Sequence, residues 1–305
     1  MPELPEVQII VDDLNKKVSS RKIIGVWSDW KKTLNLLTNK KGKLKLVKDP
    51  KIEDFEKIIK GKRIIKAERK AKNVLIELSD GYMMLVHQKM TGHLMVGKWR
   101  VDGGKAIATE PKSIVADLYN RFVHIIFYLN NGEMLALSDA RKFAKIILGK
   151  KNDLENLPEL KELGPEPLDK NFKFSDFKNI ISQKTGKIKQ VLMDQKVISG
   201  IGNIYSDDIL WLAKINPFTP ANKISESGLK ELFKATLTIL KKAIKLRGSS
   251  ISDFRDTAGK KGGYGNVMLT YRREGEKCLR NDGGTIIRKK IGGRSAHFCP
   301  VCQRL

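Results

Sequence analysis

The first regular pattern in the chain is helical. Val7, Val11, Leu14 and Val18 recur three or four positions apart. Pro5 and Glu6 suit the first turn of such a helix, where a fixed φ is preorganised and a carboxylate meets the positive end of the dipole. A strand is expected over Lys22 to Trp30, and the lysine-rich stretch through Lys48 reads as loop and exposed strand. From Arg63 the period changes to two. Val74 to Leu78 and Tyr82 to Val86 flank Ser79-Asp80-Gly81; Val123 to Leu129 and Glu133 to Leu137 flank Asn130-Asn131-Gly132, whose Asn-Gly suits the positive φ angles of a tight hairpin. Residues 100–120 are polar and contain glycine, so a mobile loop is expected between the hairpins. Ala144 to Leu148 supplies one more strand. A leading helix followed by β structure is most economically a sandwich.

Beyond Gly149 the pattern changes again. Residues 149–170 are charged and carry Pro158, Pro165 and Pro167, which marks a linker. Helical spacing resumes after Ser175, a candidate N-cap. Phe177, Ile180 and Ile181 mark a short helix, Ile188 to Lys196 another and Ile204 to Leu212 a third. The longest is expected from about Ser225 to Lys245, with Leu229, Leu232, Phe233, Leu237, Leu240 and Ile244 as its buried stripe. A glycine-rich loop follows to about Gly265, then a terminal segment with all the cysteines. The expected fold is α+β and multidomain: a β-sandwich with a leading helix over 1–148, a linker over 149–170, a helical domain over 171–265 and a finger-like hairpin over 266–305.

Charge points to the partner. Lys and Arg number 59 against 34 Asp and Glu, a formal charge of +25 in 305 residues. So large an excess suits a polyanion, and nucleic acid fits it better than a membrane surface. No apolar run approaches the ~20 residues of a membrane span, and no signal-peptide core precedes the first helix, so a cytoplasmic protein is expected.

Candidate chemistry begins at MPELPEV. Removal of Met1 would leave Pro2 as a secondary amine with an α-amino pKa near ~8, against ~10.4 for a lysine. Glu3 beside it can exchange protons with whatever the amine attacks. In the β half, Lys72 stands at the mouth of a hairpin within Arg69-Lys70-Ala71-Lys72. Met90 and Phe143, the latter near Arg141, are apolar residues in basic surroundings and together could wedge into a base stack. In the helical half, Ser199-Gly200-Ile201-Gly202-Asn203 joins two helices. Free N–H groups and the Asn203 amide there suit a phosphate, with Lys189 and Tyr205 as a basic, hydroxyl-bearing rim. Cys299 and Cys302 have CxxC spacing and Cys278 lies 21 residues before Cys299, a set able to hold zinc. The fourth cysteine is missing near position 281. Asp282 or His297 could replace it, or packing alone could hold the finger. Gly292-Gly293-Arg294 would present Arg294 at a hairpin tip, suited to a phosphate.

The chain resembles the formamidopyrimidine-DNA glycosylases nearly end to end, through MPELPEV, RKAKNVLIEL, VHQKMTGHLMVG, SDARKF, LGPEPL, GIGNIYSDDIL, GSSISDF and GGRSAHFCPVCQ. The resemblance implies a bifunctional base-excision-repair enzyme with a helix-two-turn-helix domain, acting on damaged double-stranded DNA as a monomer without a small-molecule cofactor. It implies that Pro2 attacks C1′ with Glu3 assisting, that Lys72, Asn203 and Arg294 contact phosphates, and that Met90, Arg141 and Phe143 fill the space left by a flipped base. Glu6 matches a structural residue, and Gly259 to Gly265 falls where the family has a loop closing over the lesion. Oxidised purines, notably 8-oxoguanine and formamidopyrimidines, are the expected substrates, with β,δ-elimination following. The alternatives are an endonuclease VIII-like preference for oxidised pyrimidines and a noncatalytic binder of damaged DNA. Departures from the family pattern are the missing second cysteine in C-x2-C-x16-C-x2-C, Lys142 for an arginine, Ala140 for a proline, and Asp208 where a glutamate is common.

Overall fold

The computed structural model describes residues 1–251 and 253–305. They form two compact units, Met1–Lys161 with Leu246–Gly263, and Glu162–Lys245 with Tyr264–Leu305.

The first unit opens with α1 (Leu4–Lys17) and continues through β1 (Ile23–Ser28), β2 (Leu34–Lys40), β3 (Lys43–Lys48), α2 (Ile52–Ile59), β4 (Ile64–Lys70), β5 (Asn73–Leu78) and β6 (Tyr82–His87). Then come β7 (His93–Asp102), β8 (Lys105–Glu110), α3 (Lys112–Ala116), β9 (Val123–Leu129), β10 (Met134–Ser138), β11 (Lys145–Lys150), α4 (Lys151–Glu155) and α5 (Pro158–Lys161). Two sheets result, ordered β1-β9-β10-β7-β8 and β3-β2-β11-β6-β5-β4. They are the expected sandwich. Alternate residues of facing strands fill its core, among them Val74, Ile76, Met84, Val86, Leu94, Phe127, Leu135 and Ile146, and α1 adds Val7, Ile10, Val11 and Leu14.

The stretch expected as a mobile loop over 100–120 is ordered structure. β7 runs on to Asp102, turns at Gly103 and Gly104 with positive φ, and returns as β8. The strand period was hidden because Lys98, Arg100 and Asp102 face water while only Trp99 turns inward, to a small core with Ile114 and Val123. The stretch read as linker likewise contains α4 and α5, whose Leu154 and Leu160 are buried. Residues 246–263 return from the helical half of the sequence to the sandwich, and Phe254 joins its core.

The second unit holds α6 (Phe174–Ser182), α7 (Ile188–Met193), α8 (Asn203–Leu212), α9 (Glu226–Lys245) and the hairpin β12 (Ile287–Ile291) and β13 (Arg294–Phe298). The stripe of α9 is buried at Leu229, Leu232, Ile239 and Leu240, and Phe233 meets the rings of Phe172, Phe174 and Phe177 at its edge. Asp208, fully buried on α8, organises the segment after Tyr264. Its carboxylate accepts the Tyr264 hydroxyl at 2.8 Å, the Thr270 hydroxyl at 3.1 Å and the N–H groups of Leu269, Thr270 and Tyr271 at 2.9 to 3.3 Å. Burial raises the Asp208 carboxyl above its ordinary range, with these donors opposing the rise. Among the described residues no helix is long and apolar enough to cross a membrane.

An Asp208→Ala variant strands this set of buried donors, so urea unfolding should show a loss of about 2–4 kcal/mol. A loss below about 0.5 kcal/mol would mean that these hydrogen bonds are dispensable.

Candidate functional site

Glu3 caps α1 in a reciprocal box: its side chain accepts the Glu6 N–H, and Glu6 Oε2 accepts the Glu3 N–H at 2.8 Å. The other oxygen of Glu6 accepts the Ser249 N–H at 2.8 Å, so the segment returning from the helical half is tied to the first helical turn. Pro2, Glu3 and Glu6 are buried. The Met1 amine holds its proton less firmly than an ordinary α-amine. Burial is the main cause and Lys72 adds to it, against the carboxylates of Glu3, Glu6 and Asp253. The start of the chain, the carboxylates of Glu3 and Glu6, Lys72 and Asp253 therefore share one electrostatic environment.

Lys72 is placed there by a two-residue turn. Lys70 pairs with Asn73, and Ala71 between them takes a φ of 54°. Lys72 is only 6% exposed, which separates it from the solvated lysines around it. The same end of the sheet carries His87, opposite Asn73 on one side and Lys145 on the other. Burial, with Lys89, Lys72 and Lys145 adding to it, pushes His87 from an ordinary 6.5 down to about 3.

The two residues read as a candidate wedge are exposed. Met90 and Phe143 are among the large apolar side chains facing solvent, and the Arg141 guanidinium lies over the Phe143 ring at 4.7 Å. Asp139, which sequence reasoning passed over, joins their two turns. It accepts the Thr91 hydroxyl in a short hydrogen bond, the Arg141 N–H at 3.3 Å and the Ala144 N–H at 2.7 Å. Its signal was an Asp two residues ahead of a turn residue, a common way to bond forward to the backbone.

In the second unit, Asn203 opens α8 behind Gly202, and its Oδ1 is buried without a hydrogen-bond partner among the described residues. Arg294 is exposed at the start of β13, beside the Gly292-Gly293 turn. Lys189 and Tyr205 do not form the expected rim. Both are fully buried. Lys189 Nζ donates to Asp207 at 2.5 Å and to the Ser295 carbonyl at 2.7 Å, while the Tyr205 ring packs edge-on against Tyr264. Polar residue types suggested a surface, but a buried carboxylate and a facing aromatic ring draw them inward.

Cys278, Asp282, Cys299 and Cys302 gather with one ligand atom each, all within 4.8 Å of one another. The Cys278 and Cys302 sulfurs are 3.9 Å apart, and Cys299 Sγ is 3.4 Å from Asp282 Oδ2. Tetrahedral zinc with its usual bond lengths would place two sulfurs ~3.8 Å apart and a sulfur and an oxygen ~3.5 Å apart. The donor set fits. Asp282 precedes Cys299 by the family's sixteen intervening residues, so the extra residue lies between Cys278 and Asp282, where Asn281 absorbs it at a φ of 53°. Gly284 leaves the space, since a Cβ there would sit 2.4 Å from Cys299 Sγ. The Gly284 N–H is the chief reason that Asp282 stays down at about 2. His297, the other candidate ligand, bonds Asp207 through both its N–H and its ring Nδ1 at 3.0 Å.

The sequence profile of the formamidopyrimidine-DNA glycosylase N-terminal domain matches residues 1–146, and that of the H2TH domain of the same glycosylase matches residues 163–255. The chain belongs to the formamidopyrimidine-DNA glycosylase family. A glycosylase of that name from Pelotomaculum thermopropionicum is 35% identical over 305 residues, 100% of both chains. The Lactococcus lactis Fpg bound to DNA containing an abasic site matches 99% of this chain and 100% of its own, with a TM-score of 0.81 and 31% identity. The same enzyme bound to DNA containing an oxidised pyrimidine matches 100% of both chains, with a TM-score of 0.81 and 30% identity.

The His87 environment has a consequence for acid stability. Its folded value is depressed, so the stability it contributes is complete above pH 6.5 and is lost as the pH falls toward 3, where the unfolded chain alone takes up the proton. In urea titrations across that window, His87→Gln should show a shallower loss than the parent. An unchanged slope would place the acid sensitivity elsewhere.

Proposed function

We propose that this glycosylase removes oxidised purines, notably 8-oxoguanine and formamidopyrimidines, from duplex DNA and cleaves the strand at the same site. The observation that supports it most directly is the packing of the first residues: Pro2 is buried directly before α1, beside a buried Glu3 that is fixed by its capping box with Glu6. With Met1 removed, the Pro2 nitrogen attacks C1′ and the base leaves with the bonding electrons and takes up a proton. Loss of the proton from nitrogen and opening of the sugar, with Glu3 passing a proton to O4′, give an iminium. As a secondary amine Pro2 has no second proton to lose, so the iminium stays cationic and draws electrons from C2′ and then C4′. Loss of those protons expels the 3′- and then the 5′-phosphate.

Lys72, Asn203 and Arg294 hold phosphates in this reading, and Met90, Arg141 and Phe143 occupy the gap left by the extruded nucleotide. The loop that closes over the extruded base includes Gly259 to Gly265. The protein acts as a monomer. Cys278, Asp282, Cys299 and Cys302 hold one structural zinc ion, which braces the hairpin that carries Arg294. A second reading, preference for oxidised pyrimidines, is favoured by the Lactococcus lactis complex with such a lesion.

Borohydride trapping separates these readings. Adducts are expected with 8-oxoguanine and abasic duplexes, and intact mass should show Met1 absent. No adduct from protein lacking Met1 would overturn the lyase chemistry, and trapping on the pyrimidine alone would reverse the lesion preference. Glu3→Gln should lower base release by about 10²- to 10⁴-fold, the usual scale for a lost proton-transfer group. DNA affinity should fall steeply with salt as counterions are released, and a flat dependence would contradict the phosphate grip.

Metal analysis is expected to find one zinc per chain, lost in Cys299→Ala and in Asp282→Ala but kept in Asp282→Cys. Zinc retained in Asp282→Ala would remove the carboxylate from the ligand set.

A further inference from the structure

The segment Leu246–Gly263 is fastened to the sandwich at a second place, away from Glu6. Arg255 is 1% exposed and forks onto Asp117, with Nε to Oδ2 at 2.6 Å and Nη2 to Oδ1 at 3.1 Å. The same guanidinium donates to the Phe254 carbonyl at 2.8 Å and lies 4.7 Å from the centre of the Tyr119 ring. Around this pair, Ser113 Oγ donates to the Ala258 carbonyl at 2.7 Å and Asn120 Nδ2 to the Gly259 carbonyl at 3.2 Å. Gly259 has a φ of 72°, and a Cβ there would lie 2.5 Å from Asn120 Nδ2, so the backbone is seated as closely as a glycine allows. The Val96 N–H of β7 completes the seat on the Thr257 carbonyl at 2.8 Å.

Ser113, Asp117, Tyr119 and Asn120 all come from α3 and the single turn after it. None of them takes part in the chemistry proposed above. A buried guanidinium is tolerated only with well-placed acceptors, and its planar fork admits essentially one arrangement of the two chains that share it.

We propose that Arg255 and Asp117 are positioning residues for base removal: their ion pair, with Ser113 and Asn120, clasps residues 253–260 against the turn after α3 and so fixes the loop that faces an extruded base. The inference rests on the proposed function. Base removal needs that loop against the base, whereas cleavage at a preformed abasic site has no base to hold. The clasp should act on the first step and leave the second alone.

The test compares Arg255→Met, Arg255→Lys and Asp117→Asn with the parent in single-turnover base release from an 8-oxoguanine duplex and in borohydride trapping on an abasic duplex. Hydrogen exchange of peptides covering 250–263 is followed alongside. Arg255→Met and Asp117→Asn should release base at least about tenfold more slowly, since misplacing a substrate-facing group by ~1 Å costs up to ~10²-fold. Trapping should stay within about twofold, because that step does not draw on the positioning of the base. Arg255→Lys keeps the charge without the fork and should fall between. Exchange should quicken in the 250–263 peptides and not in β5 or β6. Equal losses on both substrates would make the pair merely structural, and parental base release despite faster exchange would overturn the inference. A parent that traps nothing would remove the proposed chemistry and this inference with it, an outcome distinct from a variant that excises and traps like the parent.

Discussion

The first unit depends on one carboxylate. Glu6 accepts the Glu3 N–H with one oxygen and, with the other, the Ser249 N–H from 243 residues along the chain. A buried carboxylate costs several kcal/mol unless donors replace its water, and here two backbone amides and the positive end of α1 do so. Local helix capping and the return of a distant segment are therefore satisfied by the same group. Gly248 shows how little room is left, since a Cβ there would come within 2.8 Å of a Glu6 oxygen. The start of the chain, where a nucleophilic amine is proposed, is set by a contact that α1 cannot make by itself.

The second unit solves the same problem with adjacent residues. Asp207 and Asp208 are buried, and a turn of about 100° between successive helical positions sends their carboxylates in different directions. Asp207 receives Lys189 and His297 and so connects α7 to the hairpin, while Asp208 gathers the donors of residues 264–271. Neither carboxylate is left for solvent or a metal. That arrangement explains why His297 is no ligand of the cysteine cluster, and why Lys189 cannot serve on a surface rim.

Local periodicity made most of the fold legible. The hairpins at Gly81 and Gly132, the helix over Glu226–Lys245 and the glycine turn before Asn203 are short-range features, and they stand where alternation, turn residues and helical spacing put them. What could not be read was pairing across the sequence. The β7–β8 hairpin was obscured because its outward face is charged, and the residues that hold 246–263 to the sandwich are separated from their partners by more than a hundred positions. Within the site, the exposed pair Arg141 and Phe143 and the buried Glu3 were visible as residue types in the right order. Lys189 and Tyr205 were misplaced, because a lysine or a tyrosine reveals its burial only through the group it meets. Asp282 lay between the two: its residue type was noted, but its distance from Cys299, rather than from Cys278, decides its position in the cluster.

The acidic residues sharpen the meaning of the formal +25. Asp139 and Asp208 are buried, and the hydrogen bonds that hold them come from neutral donors, mostly backbone N–H groups. Among the described residues both carboxylates are stabilised without a lysine or arginine as direct partner, so the corresponding cations stay on the outside. Asp117 and Asp207 do take cations inward, Arg255 and Lys189, whereas the Arg247 that pairs with Asp13 stays half-exposed. The solvent-facing charge is consequently more one-sided than the count of residues implies. A surface of that kind favours association with a polyanion at every encounter, while the buried Arg255 and Lys189 are committed to holding backbone segments in register. Attraction and alignment are thus assigned to different residues, and composition alone could reveal only the first.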